Sequence, residues 1–369
     1  MHTDIKFFPT LLIFAFIFTC SPSPKVANAD NALKRTGVPA RWAADYVHAV
    51  VNAGRSAYSR YIVERLGKKI SLHATENWAS ENTLPLPAQF LALSSELSNS
   101  RGIGMRYRLM SLWPINPSNK PKTENEETGL QTVAQGQKEP VTWVVKQQGI
   151  WYFQAVYPDV AVVESCVSCH NNHPQSPKKD FKVGDVMGGI IIHLPLGRSA
   201  KEIPAEGISL APEVVADYVH TVLESDRTVY AKHVVNRLEN KNIIHPTENW
   251  QKENTLLLPA QFLMSSADLI NRKKLKLNFG LISLWPINSR NGPTNEFERL
   301  GLETVDIHPI RPYIEVKKVG RRDYFQAIYP DFAVTDACVT CHNAHPKSPR
   351  KDFKLDDVMG GIRVTFPVE

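Results

Sequence analysis

Two cysteines separated by two residues and followed at once by a histidine occur twice in this chain. They are Cys166, Cys169 and His170 in CVSCHNNHPQSPKKDF, and Cys338, Cys341 and His342 in CVTCHNAHPKSPRKDF. Three chemistries use two thiols and an imidazole at this spacing. Two thiolates with His170 and His173 would make a zinc set. The thiols alone would make a short disulfide, idling the histidine. C-x-x-C-H is also the spacing of c-type haem attachment. Two thioethers then fix one edge of the porphyrin, and the next imidazole takes one face of the iron. The duplication favours this last chemistry, because every cysteine beyond Cys20 falls inside one of the two motifs. On that reading Cys166 and Cys169 anchor a first haem c with His170 as its proximal ligand, and Cys338, Cys341 and His342 hold a second.

The far face of each iron takes another ligand or stays open. Two pairs of histidines recur at matching places and are candidates: His48 with His220, and His73 with His245. Their plain alternatives are a helix-surface histidine for the first pair and a loop or capping histidine for the second. Arg55 lies two helical turns beyond His48 and projects from nearly the same side. It is a candidate partner for a haem propionate, as is Arg227 in the second half. His173 and His345 stand too close behind the proximal ligands to reach the opposite face. Met187 and Met359 read as core, and Tyr58 and Tyr230 as helix packing. Lys178-Lys179 and Arg350-Lys351 suit either propionates or solvent.

The motif is duplicated because the whole chain is. A shift of 172 residues, the interval between Cys166 and Cys338, lays the sequence on itself without a gap. ADYVHAV at Ala44 meets ADYVHTV at Ala216, LPAQFL at Leu86 meets LPAQFL at Leu258, and SLWPIN at Ser111 meets SLWPIN at Ser283. FQAVYPD at Phe153 meets FQAIYPD at Phe325, and DVMGGI at Asp185 meets DVMGGI at Asp357. A unit of about 160 residues is domain-sized, far beyond solenoid periods, so each copy is expected to own a core. The expected domains are 37–197 and 213–369, joined by a polar linker at 198–212 that carries Gly and Pro.

Within a copy, apolar residues from Trp42 to Leu66 recur at helical spacing, with Gly54 interrupting the stripe. Pro87 suits the first turn of a second helix through PAQFLALSSELS. MRYRLMSLW alternates like a strand. VTWVVKQQGIWYFQAVYP reads as two strands about a Gln-Gly turn, and DVMGGIIIHLPL as a closing strand. Helices followed by an antiparallel sheet, with a haem loop before the last strand, give an α+β class.

The apolar run from Phe7 to Cys20 is short for a membrane span, which needs about 20 residues, and suits a signal peptide. Small residues at Ala27 and Ala29 place cleavage before Asp30, making 1–29 the expected signal segment. The expected location is therefore periplasmic or otherwise extracytoplasmic; an uncleaved N-terminus would add membrane association. Net charge is +6 with the two signs interspersed, so no basic stripe points to nucleic acid.

SLWPINPSNKP, then FQAVYPDVAVVESCVSCH, then a closing strand from DVMGG, resembles the bacterial PAS-like c-type haem domain family. That family was formerly a domain of unknown function and is found alone or in extracytoplasmic sensor regions. The resemblance covers nearly all of each copy. It implies a PAS-like sheet flanked by helices, one haem c per domain, and redox or gas-sensing roles. In some members a helix cysteine takes the far face of the iron. Neither candidate helix of the first copy carries one, and His48 is the only histidine on either, so the low potential of thiolate ligation does not transfer.

The sequence thus leads to an exported di-haem cytochrome c that passes electrons to redox partner proteins. The alternative is a haem-based redox or NO/CO sensor module acting through a membrane-bound signalling partner. A peroxidase-like or nitrogen-oxide enzyme would need an open iron face beside an acid/base group, and no catalytic constellation is recognisable.

Overall fold

Small and β-branched residues are so dense from Ala40 to Ala57 that one helix face cannot hold them. In the computed structural model, which describes residues 37–197, 207–272 and 275–369, this segment is helix α1 (Ala40–Ala57), buried nearly all round. The expected signal segment and residues 198–206 of the expected linker lie outside the described residues. A helix apolar on all sides must be covered on all sides. Beyond Ala57 the rod continues through a wide π turn, Tyr58–Glu64, into a tail, Arg65–Ile70. Next come α2 (Pro87–Ser100), β1 (Arg106–Met110), α3 (Glu124–Ala134), β2 (Val141–Gln147) and β3 (Ile150–Val160). Helix α4 (Glu164–Asn172) and strand β4 (Val186–Gly197) complete the repeat.

The second repeat follows the same order. Its rod is α5 (Pro212–Val229), a π turn at Tyr230–Asn236 and a short tail, Arg237–Asn240. Then come α6 (Pro259–Asn271), β5 (Asn278–Ile282), α7 (Glu296–Ile307), β6 (Tyr313–Val319) and β7 (Arg322–Phe332). Helix α8 (Asp336–Ala344) and strand β8 (Val358–Val368) end it.

Each repeat builds a four-stranded antiparallel sheet, ordered β1-β4-β3-β2 and β5-β8-β7-β6. The Gln-Gly turn forms as expected: Gln148 and Gly149 both take positive φ, 51° and 80°, which matches hairpin twist. Strand β4 shows why the sheet is covered on both faces. Ile190, Ile192 and Leu194 face the α1 side, while Ile191 joins Met110, Leu130, Val133 and Val156 beneath α3.

The two repeats do not keep separate main cores, as the domain-sized repeat had suggested. One cluster runs from Val47, Phe153 and Ile192 to Val219, Phe325 and Val364. The reason is α1 and α5: each packs on its own sheet and, through α6 and α2, on the other repeat. The layers run α3, first sheet, the four helices α1, α2, α5 and α6, second sheet, α7. The chain ends stitch the same seam. Val38 and Pro39 pair with Leu210 and Ser209, and Gly37 exchanges backbone bonds of 2.7 and 3.0 Å with Glu369.

Two local expectations change. The segment expected as a haem loop is helical through its motif, because Cys166, Cys169 and His170 then share one face at i, i+3 and i+4. Helix α3 was missed although its start is legible: Thr123 caps it by accepting from the Glu126 N–H at 3.3 Å, with Glu124, Glu126 and Glu127 in the first turn. Among the described residues no helix is long and apolar enough to cross a membrane.

Candidate functional site

Helix α4 forms where β3 ends, and its N-terminus needs acceptors. In the first repeat the Glu64 carboxylate supplies one, accepting from the Ser165 N–H at 2.9 Å. Burial pushes the Glu64 carboxyl up, but Lys68 and the Ser165 N–H outweigh it and hold it below its ordinary value. Asn236 occupies the equivalent place in the second repeat. There Thr335 caps α8 instead, accepting from the Cys338 N–H at 3.4 Å. Glu64→Ala is therefore expected to lower stability by about 1 kcal/mol. Asn236→Ala should stay within roughly 0.5 kcal/mol of the parent. Urea titrations of the two variants check this.

Beyond α4 the chain is folded back by an asparagine that follows the motif histidine. Asn171 donates to the Phe181 carbonyl at 2.9 Å and accepts from its N–H at 3.0 Å; Asn343 does the same for Phe353. The returned Phe181 ring stands edge-on to Trp113 and 6.0 Å from His170. Lys178 lies 4.9 Å over Phe181 and pairs with Asp180, and Arg350 lies 4.5 Å over Phe353. The asparagines went unremarked in the sequence, although they recur at one spacing after both motifs.

A cavity of about 960 Å³ opens against α4 in the first repeat. That is the upper end for cofactor and ligand pockets, which run from roughly 300 to 1,000 Å³. Its walls come from the rod (Arg55, Val63, Glu64), the loop at His73–Glu76, the start of α2, the strand end at Met110–Trp113, and α4. Cys166, Cys169, His170 and His173 all line it. Both thiols are free, Cys166 half-buried and Cys169 exposed, and Cys338 and Cys341 are the same. Burial raises Cys166 despite nearby Arg55; it also raises Cys169 and Cys341, so these sulfurs favour the thiol form. Among the described residues no three His, Cys, Asp or Glu side chains converge on a metal-sized point, so the zinc arrangement is not assembled.

His170 and His342 are held neutral, by burial first and then by His173 or His345 and the nearby arginine. The Nδ1 of each is buried without a hydrogen-bond partner. Arg55 and Arg227 are buried too. Arg55 pairs with Asp159 and Arg227 with Asp331, yet the Nε of each arginine is buried and unpartnered. Burial raises both aspartates, and the arginines only partly offset it. Orphaned nitrogens of an imidazole and a guanidinium beside free thiols fit a cofactor with a metal centre and anionic arms. At the rim, His173 accepts the Gln175 N–H at Nδ1, 3.2 Å, and faces Glu76 with Nε2 at 3.7 Å. His345 faces Glu248 at 3.4 Å.

The histidine pairs separate. His73 lines the cavity and His48 does not. His48 stacks on Tyr157 with ring centres 3.9 Å apart, and His220 stacks on Tyr329 at the same distance. Arg55 shares the side of α1 with His48, but the cavity reaches only the C-terminal half of the rod; two turns earlier that side meets the sheet. Burial, with Arg101 and Arg227, drives His220 down to about 3, so it stays uncharged. His245 is exposed in the loop equivalent to that of His73.

A family model described as Tll0287-like matches residues 35–195 and again residues 210–367. Comparison with curated proteins and with solved structures finds no match.

Proposed function

The chain belongs to the Tll0287-like family, twice over along its length, and from that premise we propose that it is an exported di-haem c protein whose two repeats relay single electrons. One observation carries the reading. In each repeat one helix turn brings two free thiols and an imidazole with an orphaned nitrogen onto the same face, and in the first repeat that face is the wall of a cofactor-sized cavity. When bound, haem supplies a one-electron iron couple.

The chain's own residues do the rest. Cys166 and Cys169 would hold the porphyrin edge and His170 would take the metal; Cys338, Cys341 and His342 would do the same in the second repeat. Arg55 and Arg227 would supply positive charge to a propionate while Asp159 and Asp331 keep each guanidinium in place. Met110, Trp113, Phe181 and Met187 keep water from one side of the first site. Of the two histidine pairs, His73 supports the far-ligand reading better in the first repeat because it lines the cavity and His48 does not; His245 would be its counterpart. The strand order, first strand beside last, supports the PAS-like reading of each sheet. Export is proposed from the apolar N-terminal run, and the partner is a redox protein outside the cytoplasm. A gas- or redox-sensing role is the second reading, favoured by His73 being an exposed loop residue that a diatomic ligand could displace.

Expression in a host that matures c-type cytochromes tests this. The intact mass should exceed the polypeptide mass by two haem groups, and Cys166→Ser with Cys169→Ser should remove one of them. A colourless product of bare polypeptide mass would overturn the proposal. Spectra with and without CO divide the two roles: haems that ignore CO mark an electron carrier, and haems that bind it mark a sensor.

A further inference from the structure

We infer that each cofactor site is a composite of both repeats: Arg237 positions the first site and Arg65 the second, each by holding the loop of the opposite repeat that carries His73 or His245. The inference deepens the cofactor reading above and rests on it.

The loop between the first rod and α2 has two parts. His73–Glu76 lines the first cavity, while Trp78, Glu81 and Thr83 turn outward to the second repeat. There Arg237 receives them. Its Nη1 donates to the Trp78 carbonyl at 3.1 Å and the Glu81 carbonyl at 3.2 Å, and its Nη2 donates to the Thr83 carbonyl. The guanidinium lies 5.1 Å over the Trp78 ring, and its Nε is tied to the His233 carbonyl at 2.8 Å, so the fork is aimed in advance. The mirror arrangement repeats two of the three carbonyl bonds; the one to Glu81 has no counterpart. Arg65 donates to the Trp250 carbonyl at 3.1 Å and to the Thr255 carbonyl, lies 4.8 Å over Trp250, and anchors Nε on the Tyr61 carbonyl at 2.9 Å.

The gripped part of each loop is bonded directly to the part near the site. Thr83 and Thr75 share a hydroxyl bond of 2.6 Å, and the Leu84 N–H donates to the His73 carbonyl at 2.9 Å. Thr255 and Thr247 share one of 2.5 Å, and the Leu256 N–H donates to the His245 carbonyl at 3.1 Å. A displacement at Arg237 thus reaches His73 through two hydrogen bonds.

The rods close the circuit. Val63, Glu64, Gly67 and Lys68 of the first rod line its own cavity. Arg65, two residues from both Val63 and Gly67, lies on the opposite side of the helix and crosses to the other repeat. A shift of this rod, whatever its cause in the first site, moves the arginine that holds the second loop. Both rods contain a π turn just before the arginine, a feature frequent at functional sites.

The test uses the full chain with Cys338→Ser and Cys341→Ser, so that only the first haem remains. In that background Arg237→Ala should change the oxidised-to-reduced ratio of the remaining haem by about tenfold at fixed potential, a midpoint shift of about 59 mV. Backbone amides of residues 76–83 should exchange about tenfold faster. Arg101→Ala, which breaks another inter-repeat ion pair, with Glu224, should change neither. If Arg237→Ala does not fold, Arg237→Lys takes its place; it keeps the charge without the fork and should shift both readouts the same way. An unchanged potential and unchanged exchange, or equal effects from Arg101→Ala, would overturn the inference. Should the parent chain carry no haem, the cofactor reading fails first, and exchange at 76–83 still decides whether Arg237 holds the loop.

Discussion

Arg55→Met is expected to destabilise the protein by roughly 3–5 kcal/mol at pH 8, the range for removing one partner of a buried ion pair. Arg55 and Asp159 are both buried, and the guanidinium is the charged partner of that carboxylate. Burial already pushes Asp159 up against the pull of Arg55. Without Arg55 the carboxyl rises further and takes up a proton on folding. A group whose folded value lies above its unfolded one stabilises the native state only at lower pH, so the loss should be smaller at pH 5 than at pH 8. Replacing both partners, Arg55→Met with Asp159→Leu, should recover most of the stability, because no charge is then stranded. Urea titrations of the three proteins at the two pH values check this. A loss below about 1 kcal/mol for the single variant at pH 8 would mean that water reaches the pair and screens it. Arg227 and Asp331 repeat the arrangement, so Arg227→Met should behave alike.

Asp226→Asn is expected to act in the opposite direction. Asp226 lies where α5 crosses α1, so close to Gly54 that a Cβ there would collide with its carboxylate. It is buried, accepts from the Ser94 hydroxyl, and the Tyr107 hydroxyl backs Ser94 at 3.0 Å. Among the described residues no cation offsets its burial, which pushes it up to about 7 from an ordinary 3.8. The sign follows. Below about pH 4 the carboxyl is protonated folded and unfolded, and its ionisation costs nothing. Between about 4 and 7 only the unfolded chain ionises, so the parent loses stability as pH rises, and above 7 the loss is complete. The interval corresponds to at most roughly 4 kcal/mol at about 1.4 kcal/mol per pH unit. Asparagine is uncharged throughout, so the variant should match the parent near pH 4 and exceed it at pH 8. Parallel stability curves across that range would show that Asp226 ionises freely in the native protein.

These two positions also mark how far the sequence could be read. Arg55, which recurs as Arg227 on the same helical phase, stood out in the sequence as a propionate candidate, but its pairing with Asp159 was not legible there. Asp226 did not stand out, because its counterpart is Gly54 and nothing in the chain says that two helices cross there. The glycine that interrupted the apolar stripe of α1 is the space the aspartate fills. The motif helix was expected as a loop because nine residues with little apolar periodicity give no helical signal, and its caps come from Glu64, a hundred residues away, or from Thr335.

Spacing and repetition alone determined the duplicated Cys-x-x-Cys-His motif, the tandem units, the α+β class and most strand positions, because covalent geometry and local periodicity are written in neighbouring residues. Only the tertiary structure decided that the two repeats share one core, that His73 rather than His48 borders the first cavity, and that each loop is gripped by the opposite arginine. Those facts depend on which faces of buried helices meet, and a helix apolar all round, like α1, carries no mark of which neighbour will cover which side.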